Sequence, residues 1–270
     1  MCVTGGTASS AGVVEWFKGS KRTRTTVIHG ATYLQGIACA ISTSCVAVGY
    51  KSLGAAEDAV VATFGPSTSS VKASVVAHVA DLQAVTCLSA KSCIAVGNTT
   101  NSLSGLGAVV PTISGKAGKD RTAAGTEELA HITCGTSATC WATGDAYSQA
   151  TGVTNKILKL TDDSPGKPIP ELLFGADLAC VRGTTGYLAT STAQHGMGKV
   201  DKAVNGIVTA SVTLPAFADG ALDGIACPMS TSCPATGPTG FHKPRSELLL
   251  LHRRSRDASR LALKSPPMGA

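Results

Sequence analysis

Short apolar runs, broken by Gly, Pro, Ser and Thr, recur along the chain. Within residues 34–81 the runs 34–39, 45–50, 59–64 and 71–79 are β-prone. Side chains alternate across a strand, so Cys45, Ala47 and Gly49 share one face and Val46 and Val48 the other. Both faces are apolar, as in a strand sandwiched between neighbouring sheets. The small side chains of the first face would let a neighbouring sheet approach closely. Four such runs between turn-forming residues predict an antiparallel four-stranded sheet.

The unit repeats. LQGIACAISTSCVAVGY at 34–50 returns as LQAVTCLSAKSCIAVGN at 82–98, LAHITCGTSATCWATGD at 129–145 and LDGIACPMSTSCPATGP at 222–238. Each copy reads Leu, two variable residues, an aliphatic, one residue, Cys, five residues, Cys, then x-Ala-x-Gly. Cys39, Cys87, Cys134, Cys180 and Cys227 are spaced by 48, 47, 46 and 47 residues, the regularity of a repeat architecture. The copy around Leu178 and Cys180 is degenerate and lacks its second cysteine.

Four-stranded sheets repeated radially make a β-propeller. The expectation is an all-β propeller of about six blades, or seven if more than one strand is absent upstream. Another β-repeat arrangement is the alternative. A helical solenoid would need uninterrupted helical runs that Gly, Thr, Ser and Val break too often. The repeats divide the propeller (1–252) into a partial blade at 1–33 and units at 34–81, 82–128, 129–174, 175–221 and 222–252. A basic segment, 253–270, follows, as a last strand with a frayed tail. Cys2-Val3-Thr4-Gly5-Gly6 matches the end of a repeat, so the chain is expected to begin inside one.

Composition adds a constraint. The 270 residues are 43% hydrophobic, enough for a sizeable core, yet only 4% are aromatic. Rigidity must come from elsewhere, and ten cysteines are available. Disulfides closing Cys39–Cys45, Cys87–Cys93, Cys134–Cys140 and Cys227–Cys233 fit antiparallel neighbours flanking a hairpin, where a Cα separation of roughly 4.4–6.8 Å can be met. Zinc sites, reduced buried thiols and redox pairs are the competing readings. Zinc usually takes close pairs with two to four residues between them, and here there are five. Disulfides imply an oxidising compartment, so the protein is expected to be secreted or extracytoplasmic. Residue 1 is not followed by a signal peptide, which suggests an amino terminus that is truncated or misassigned. No apolar run is long enough for a membrane-spanning helix.

The unit C-x5-C-x-A-x-G, with the strand Val14-Glu15-Trp16 and the turn Lys18-Gly19, resembles exported bacterial repeat proteins of β-propeller type. Pro228 and the endings Ala47-Val48-Gly49 and Ala95-Val96-Gly97 carry the likeness. More remotely the organisation is similar to sialidase-type and photosystem-assembly-factor propellers, without their Asp-box turn. The resemblance implies an extracellular protein and transfers no catalytic residue.

Motifs for chemistry are sparse. Neither a Gly-x-Ser-x-Gly elbow nor a Gly-x4-Gly-Lys-Ser/Thr phosphate loop is present, and no cofactor is implied. His29 and His78 stand at near-equivalent places before successive cysteines and read as surface residues, with rim metal ligation as the sharper alternative. His195 lies in a Gly-flanked loop worth inspecting. Glu57-Asp58, Glu127-Glu128 and Asp162-Asp163 read as solvated turn residues, because glycosidase chemistry needs two carboxyls facing each other across a sugar.

The net charge of +6 gathers at the two ends of the chain. Lys18, Lys21, Arg22 and Arg24 would join Arg253, Arg254 and Arg256 in one basic sector if a ring closes. Such a sector suits an anionic glycan, a cell-surface polymer or an acidic protein. Nucleic acid is disfavoured, because few aromatics are available for base stacking. These features point to a non-catalytic extracellular scaffold or binding protein. The alternative is a degenerate sialidase- or lyase-like enzyme acting on glycans.

Overall fold

The computed structural model describes residues 2–8, 11–54, 56–99, 105–113, 115–136, 139–150, 152–171, 174–182, 185–191, 198–205, 207–213, 222, 224–225, 232–236 and 249–252. Every regular element among them is a strand. The chain divides into two compact units, 1–170 and 171–270.

In the first unit, the opening sheet contains β1 (Cys2–Ala8), β2 (Ala11–Lys18) and β3 (Lys21–His29). The second is built on β4 (Tyr33–Ile41), β5 (Ser44–Leu53) and β6 (Ala56–Phe64). Next come two short strands, β7 (Ser70–Lys72) and β8 (Ser74–Val75). The third sheet holds β9 (Val79–Ser89), β10 (Ser92–Thr99) and β11 (Gly107–Ile113), edged by β12 (Lys116–Ala117) and β13 (Arg121–Ala123). The fourth holds β14 (Glu128–Thr136), β15 (Thr139–Ser148) and β16 (Gly152–Thr161), edged by β17 (Ser164–Pro165) and β18 (Ile169–Glu171).

The second unit contains a four-stranded meander of β19 (Phe174–Arg182), β20 (Thr185–Ser191), β21 (Gly198–Val204) and β22 (Ile207–Thr213). Its other sheet is β23 (Gly224–Ile225), β24 (Ser232–Thr236) and β25 (Leu249–His252). In the meander Cys180 stands opposite Gly186, where the other repeats have a second cysteine.

Within residues 34–81 the first three strands fall where the pattern places them. The fourth does not. The run 71–79 divides, with β8 on its own sheet beside β6 and β7 pairing in parallel with β3 of the preceding sheet. Side chains of β3 cause this. Arg24 donates to the carbonyls of Pro66 and Ser67, and the Thr26 hydroxyl donates to the Thr68 carbonyl at 2.7 Å. The turn before β7 is therefore held on the earlier sheet, and β7 continues there.

Core clusters fill the spaces between successive sheets of the first unit. Cys45 and Ala47 of β5 pack with Val14, Trp16 and Ile28 of the opening sheet. Val46 and Val48, one residue out of phase, pack with Leu82, Cys93 and Ala95 of the third. Ile94 and Val96 meet Leu129, Cys140 and Leu158 in the same way. Trp16 is one of the few large rings. It meets Phe64 edge-on at 5.8 Å and donates from Nε1 to Thr26 at 3.0 Å.

Three disulfides close the hairpins at Cys39–Cys45, Cys87–Cys93 and Cys134–Cys140. Their Cα atoms lie 4.0, 3.9 and 4.0 Å apart, closer than the expected range, because each pair sits directly opposite across neighbouring strands. Cys227 lies outside the described residues, so its expected bond to Cys233 does too.

The glycine of x-Ala-x-Gly is present for a reason other than neighbour-sheet packing. A Cβ on Gly49 would stand 2.0 Å from the Tyr33 carbonyl oxygen, and one on Gly97 the same distance from that of Asp81. On Gly144 it would stand 1.9 Å from the Glu128 carbonyl oxygen. The obstacle is backbone of the adjoining first strand, which cannot swing away. Gly97→Ala is expected to destabilise the protein by roughly 2–3 kcal/mol in chemical denaturation. Gly6→Ala, with nothing within 4 Å of the new methyl, should change stability little.

Alkylation of native, unreduced protein should label no more than four of the ten cysteines, since three bonds occupy six. Only two labels are expected if Cys227–Cys233 is also closed, whereas five or more would contradict the observed bonds.

Candidate binding site at the first-strand bulges

Leu-x-x-aliphatic puts two core residues three apart, whereas a regular strand returns to the same face every two. An extra residue in the strand resolves the conflict. Leu34 pairs with Gly49 and Gly36 with Val48, leaving Gln35 unpaired. Gln83 is passed over in the same way between Leu82 and Ala84, as is Ala130 between Leu129 and His131. These are β-bulges, which bend a strand and re-aim its side chains. The core keeps Leu34, Leu82 and Leu129 buried. The pair between the two apolar positions is turned outward.

Together the turned-out pairs frame a cavity of about 480 Å³. Its walls are Gln35, Gly36 and Ile37 of β4, Gln83, Ala84 and Val85 of β9, and Ala130 and His131 of β14. Gly36 is needed for closure, because a Cβ there would meet the Ala84 Cα and the Gln83 carbonyl oxygen at 2.9 Å.

Carboxylates stand behind the glutamines. Gln35 Nε2 donates to Asp81 Oδ2 at 2.8 Å, from the second sheet to the third. Gln83 Nε2 donates to Glu128 Oε1, from the third to the fourth. Asp81 and Glu128 each precede the repeat leucine, where the second sheet has Tyr33. Opposite these residues stand Asn98, Asp145 and Tyr50. Tyr33 and Tyr50 stack with ring centroids 5.9 Å apart, and Tyr33 is 41% exposed.

Burial governs the acidity of this group. It lifts the Asp81 carboxyl from 3.8 to about 6; the negative charges of Glu57 and Glu128 add to the rise, and hydrogen bonds from Gln35 and the Leu82 backbone oppose it. Asp81 is 6% exposed, and its Oδ1 and the Asn98 Oδ1 are buried acceptors without a protein donor. Burial also raises Glu128, with Asp145 adding to the rise and Gln83 and His131 countering it. Asp145 is raised by burial and by Glu127.

The residues singled out from sequence fall mostly elsewhere. Glu128, expected as a solvated turn residue, is instead a half-buried acceptor of an inter-sheet hydrogen bond. Asp162 and Asp163 do form a turn, both with positive φ, between β16 and β17. His29 ends β3, whereas His78 sits in a turn with φ 62° and lies 3.9 Å from Asp120, so the two places are not equivalent. Among the described residues no group of three or more His, Cys, Asp or Glu is arranged to hold a metal ion. Arg22 pairs with Glu15 at 2.7 Å and Arg24 holds the turn before β7, while Lys18 and Lys21 are exposed at a hairpin tip. His195, Arg253, Arg254 and Arg256 lie outside the described residues.

No protein-family model matches the chain, and no curated protein does. Solved structures match in fold. The WD40 β-propeller domain of Doa1 aligns with 87% of this chain and 85% of its own, at a TM-score of 0.52 and 10% identity. The fold is a β-propeller. The Dos1 propeller also aligns, with 87% of this chain and 61% of its own, at a TM-score of 0.54 and 14% identity. A prolyl endopeptidase aligns with 90% of this chain but 36% of its own, at a TM-score of 0.52 and 11% identity. At such identities the likeness concerns the scaffold, and the propeller's activity has to be argued from its own residues.

The raised acidity of Asp81 has a consequence for stability. An acid whose folded pKa lies above its unfolded value weakens the fold when ionised. The penalty is full above pH 6 and is relieved as the pH falls towards 3.8. Asp81→Asn should therefore raise the Tm at pH 8, by an amount equivalent to at most about 3 kcal/mol. The advantage should vanish below pH 4. Equal melting temperatures at pH 8 would contradict the burial argument.

Proposed function

We propose that this propeller is a non-catalytic binding or scaffold protein that works outside the cytoplasm. The observation carrying the reading is the use of polar groups at the cavity. Asp81 and Glu128 accept hydrogen bonds from the cavity's two glutamines, each on the preceding sheet. They are committed to joining sheets. A glycosidase acid–base pair would instead have to open onto the substrate. Three hairpin disulfides support an oxidising compartment, and no helix among the described residues is long and apolar enough to cross a membrane.

The exposed hairpin tip of Lys18 and Lys21, beside Arg22, is proposed as a basic sector for anionic glycans, cell-surface polymers or acidic proteins. Purified protein should bind members of an anionic glycan and cell-wall polymer panel without altering them. Binding should weaken at high salt and in Lys18→Glu/Lys21→Glu. Cleavage or elimination of any panel member would overturn the non-catalytic reading. Absence of binding at low salt would remove the basic sector.

A further inference from the structure

The cavity at the bulges carries an inference of its own, resting on the proposed binding role and naming a ligand class for that site. A glutamine amide can ordinarily flip, presenting either its carbonyl or its amino end. Here neither of the two can flip freely. Each Nε2 is fixed on a carboxylate behind the wall, Gln35 on Asp81 and Gln83 on Glu128. The end left for the cavity is the carbonyl oxygen, an acceptor. Two neighbouring sheets thus offer acceptors of the same polarity to one space.

The carboxylates around it give a field of the same sign. The charged groups acting on Asp81, namely Glu57 and Glu128, are both negative, and Glu128 also feels Asp145, while His131 of the cavity wall acts on Glu128 in the opposite sense. The Asp81 Oδ1 and Asn98 Oδ1 atoms add two buried acceptors without protein donors. Aliphatic Ile37 and Val85 line the cavity walls and would receive a hydrocarbon stem.

We propose that the cavity between β4, β9 and β14 binds an organic cation, an ammonium or guanidinium group on an aliphatic stem, through the oriented carbonyl ends of Gln35 and Gln83. The cation donates its N–H groups to these oxygens, while Asp81 and Glu128 supply compensating charge from behind. Glu128 acts through Gln83 and is a positioning residue. An anionic ligand, suited to the basic sector, is repelled here.

The test uses the full disulfide-bonded chain and calorimetric titration with two probes, spermidine and a short end-capped peptide containing one arginine. A citrulline peptide serves as the neutral isostere. Saturable binding of at least one cation is expected, with the citrulline peptide at least tenfold weaker. A peptide-only response identifies a protein side chain as the source, and a spermidine-only response a free polyamine. Glu128→Gln should weaken binding roughly tenfold, as expected when a charge-assisted contact becomes neutral. Ala84→Leu, which fills the cavity, should abolish it, and Lys18→Glu should leave it intact. Circular dichroism and melting of each variant separate loss of binding from loss of fold. Citrulline-peptide binding as tight as that of a cation that binds, binding unaffected in folded Ala84→Leu, or no binding of either cation would each overturn the proposal. None of these results bears on polymer binding at the lysine hairpin, so the broader binding role survives or fails separately.

Discussion

Everything in the first unit depends on a conflict between two spacings in one strand. The repeat places Leu and an aliphatic three residues apart, yet both must reach the core of a strand whose faces alternate every two. The backbone yields by bulging, and the bulge presses the carbonyl before the leucine against the second strand. Only a residue without a side chain fits there. Gly49, Gly97 and Gly144 are therefore required by the leucine of the adjoining strand in the same repeat, and the close approach is one of backbone on backbone.

The same bulge makes the cavity. It turns out the residues between the apolar positions, so Gln35, Gln83 and His131 face a common space. In the third and fourth sheets the residue before the leucine is also tucked inward. Where that residue is Asp81 or Glu128, a carboxylate is partly withdrawn from water. Its acidity falls, and a glutamine from the preceding sheet satisfies one oxygen. The sheets are thus joined on one side by apolar clusters and at the bulge by charge-assisted hydrogen bonds. In the fourth sheet Ala130 replaces the glutamine, so the series of ties stops at that position.

Few large rings are available, and the hairpins compensate covalently. A short closed loop contributes roughly 2–3 kcal/mol by restricting the unfolded chain. Each of the three disulfides lies on the same two strands as a bulge. It pins the register at one end while the glycine pins it at the other. A slip by one residue would reverse every side chain and turn Val46, Val48 and their counterparts into the space that Cys45 and Ala47 fill.

The repeat, the strands, the hairpin cysteines and the alternation of Cys45 and Ala47 against Val46 and Val48 were all legible in the sequence. They are local: periodicity and turn chemistry act within a few residues. The bulge was written there too, in the three-residue spacing of Leu and aliphatic, although only the register shows how the chain resolves it. Asp81, Gln35 and Gln83 are each unremarkable in their own segments. Their role arises between repeats about 46 residues apart, when one sheet is laid on the next. The crossing of β7 to the earlier sheet was hidden for the same reason, since Arg24 and Thr26 must first meet the turn at 66–68. The sequence by itself determined what each sheet is. The tertiary structure alone decided which polar groups meet between sheets, because a hydrogen bond depends on distance in space and not on separation along the chain.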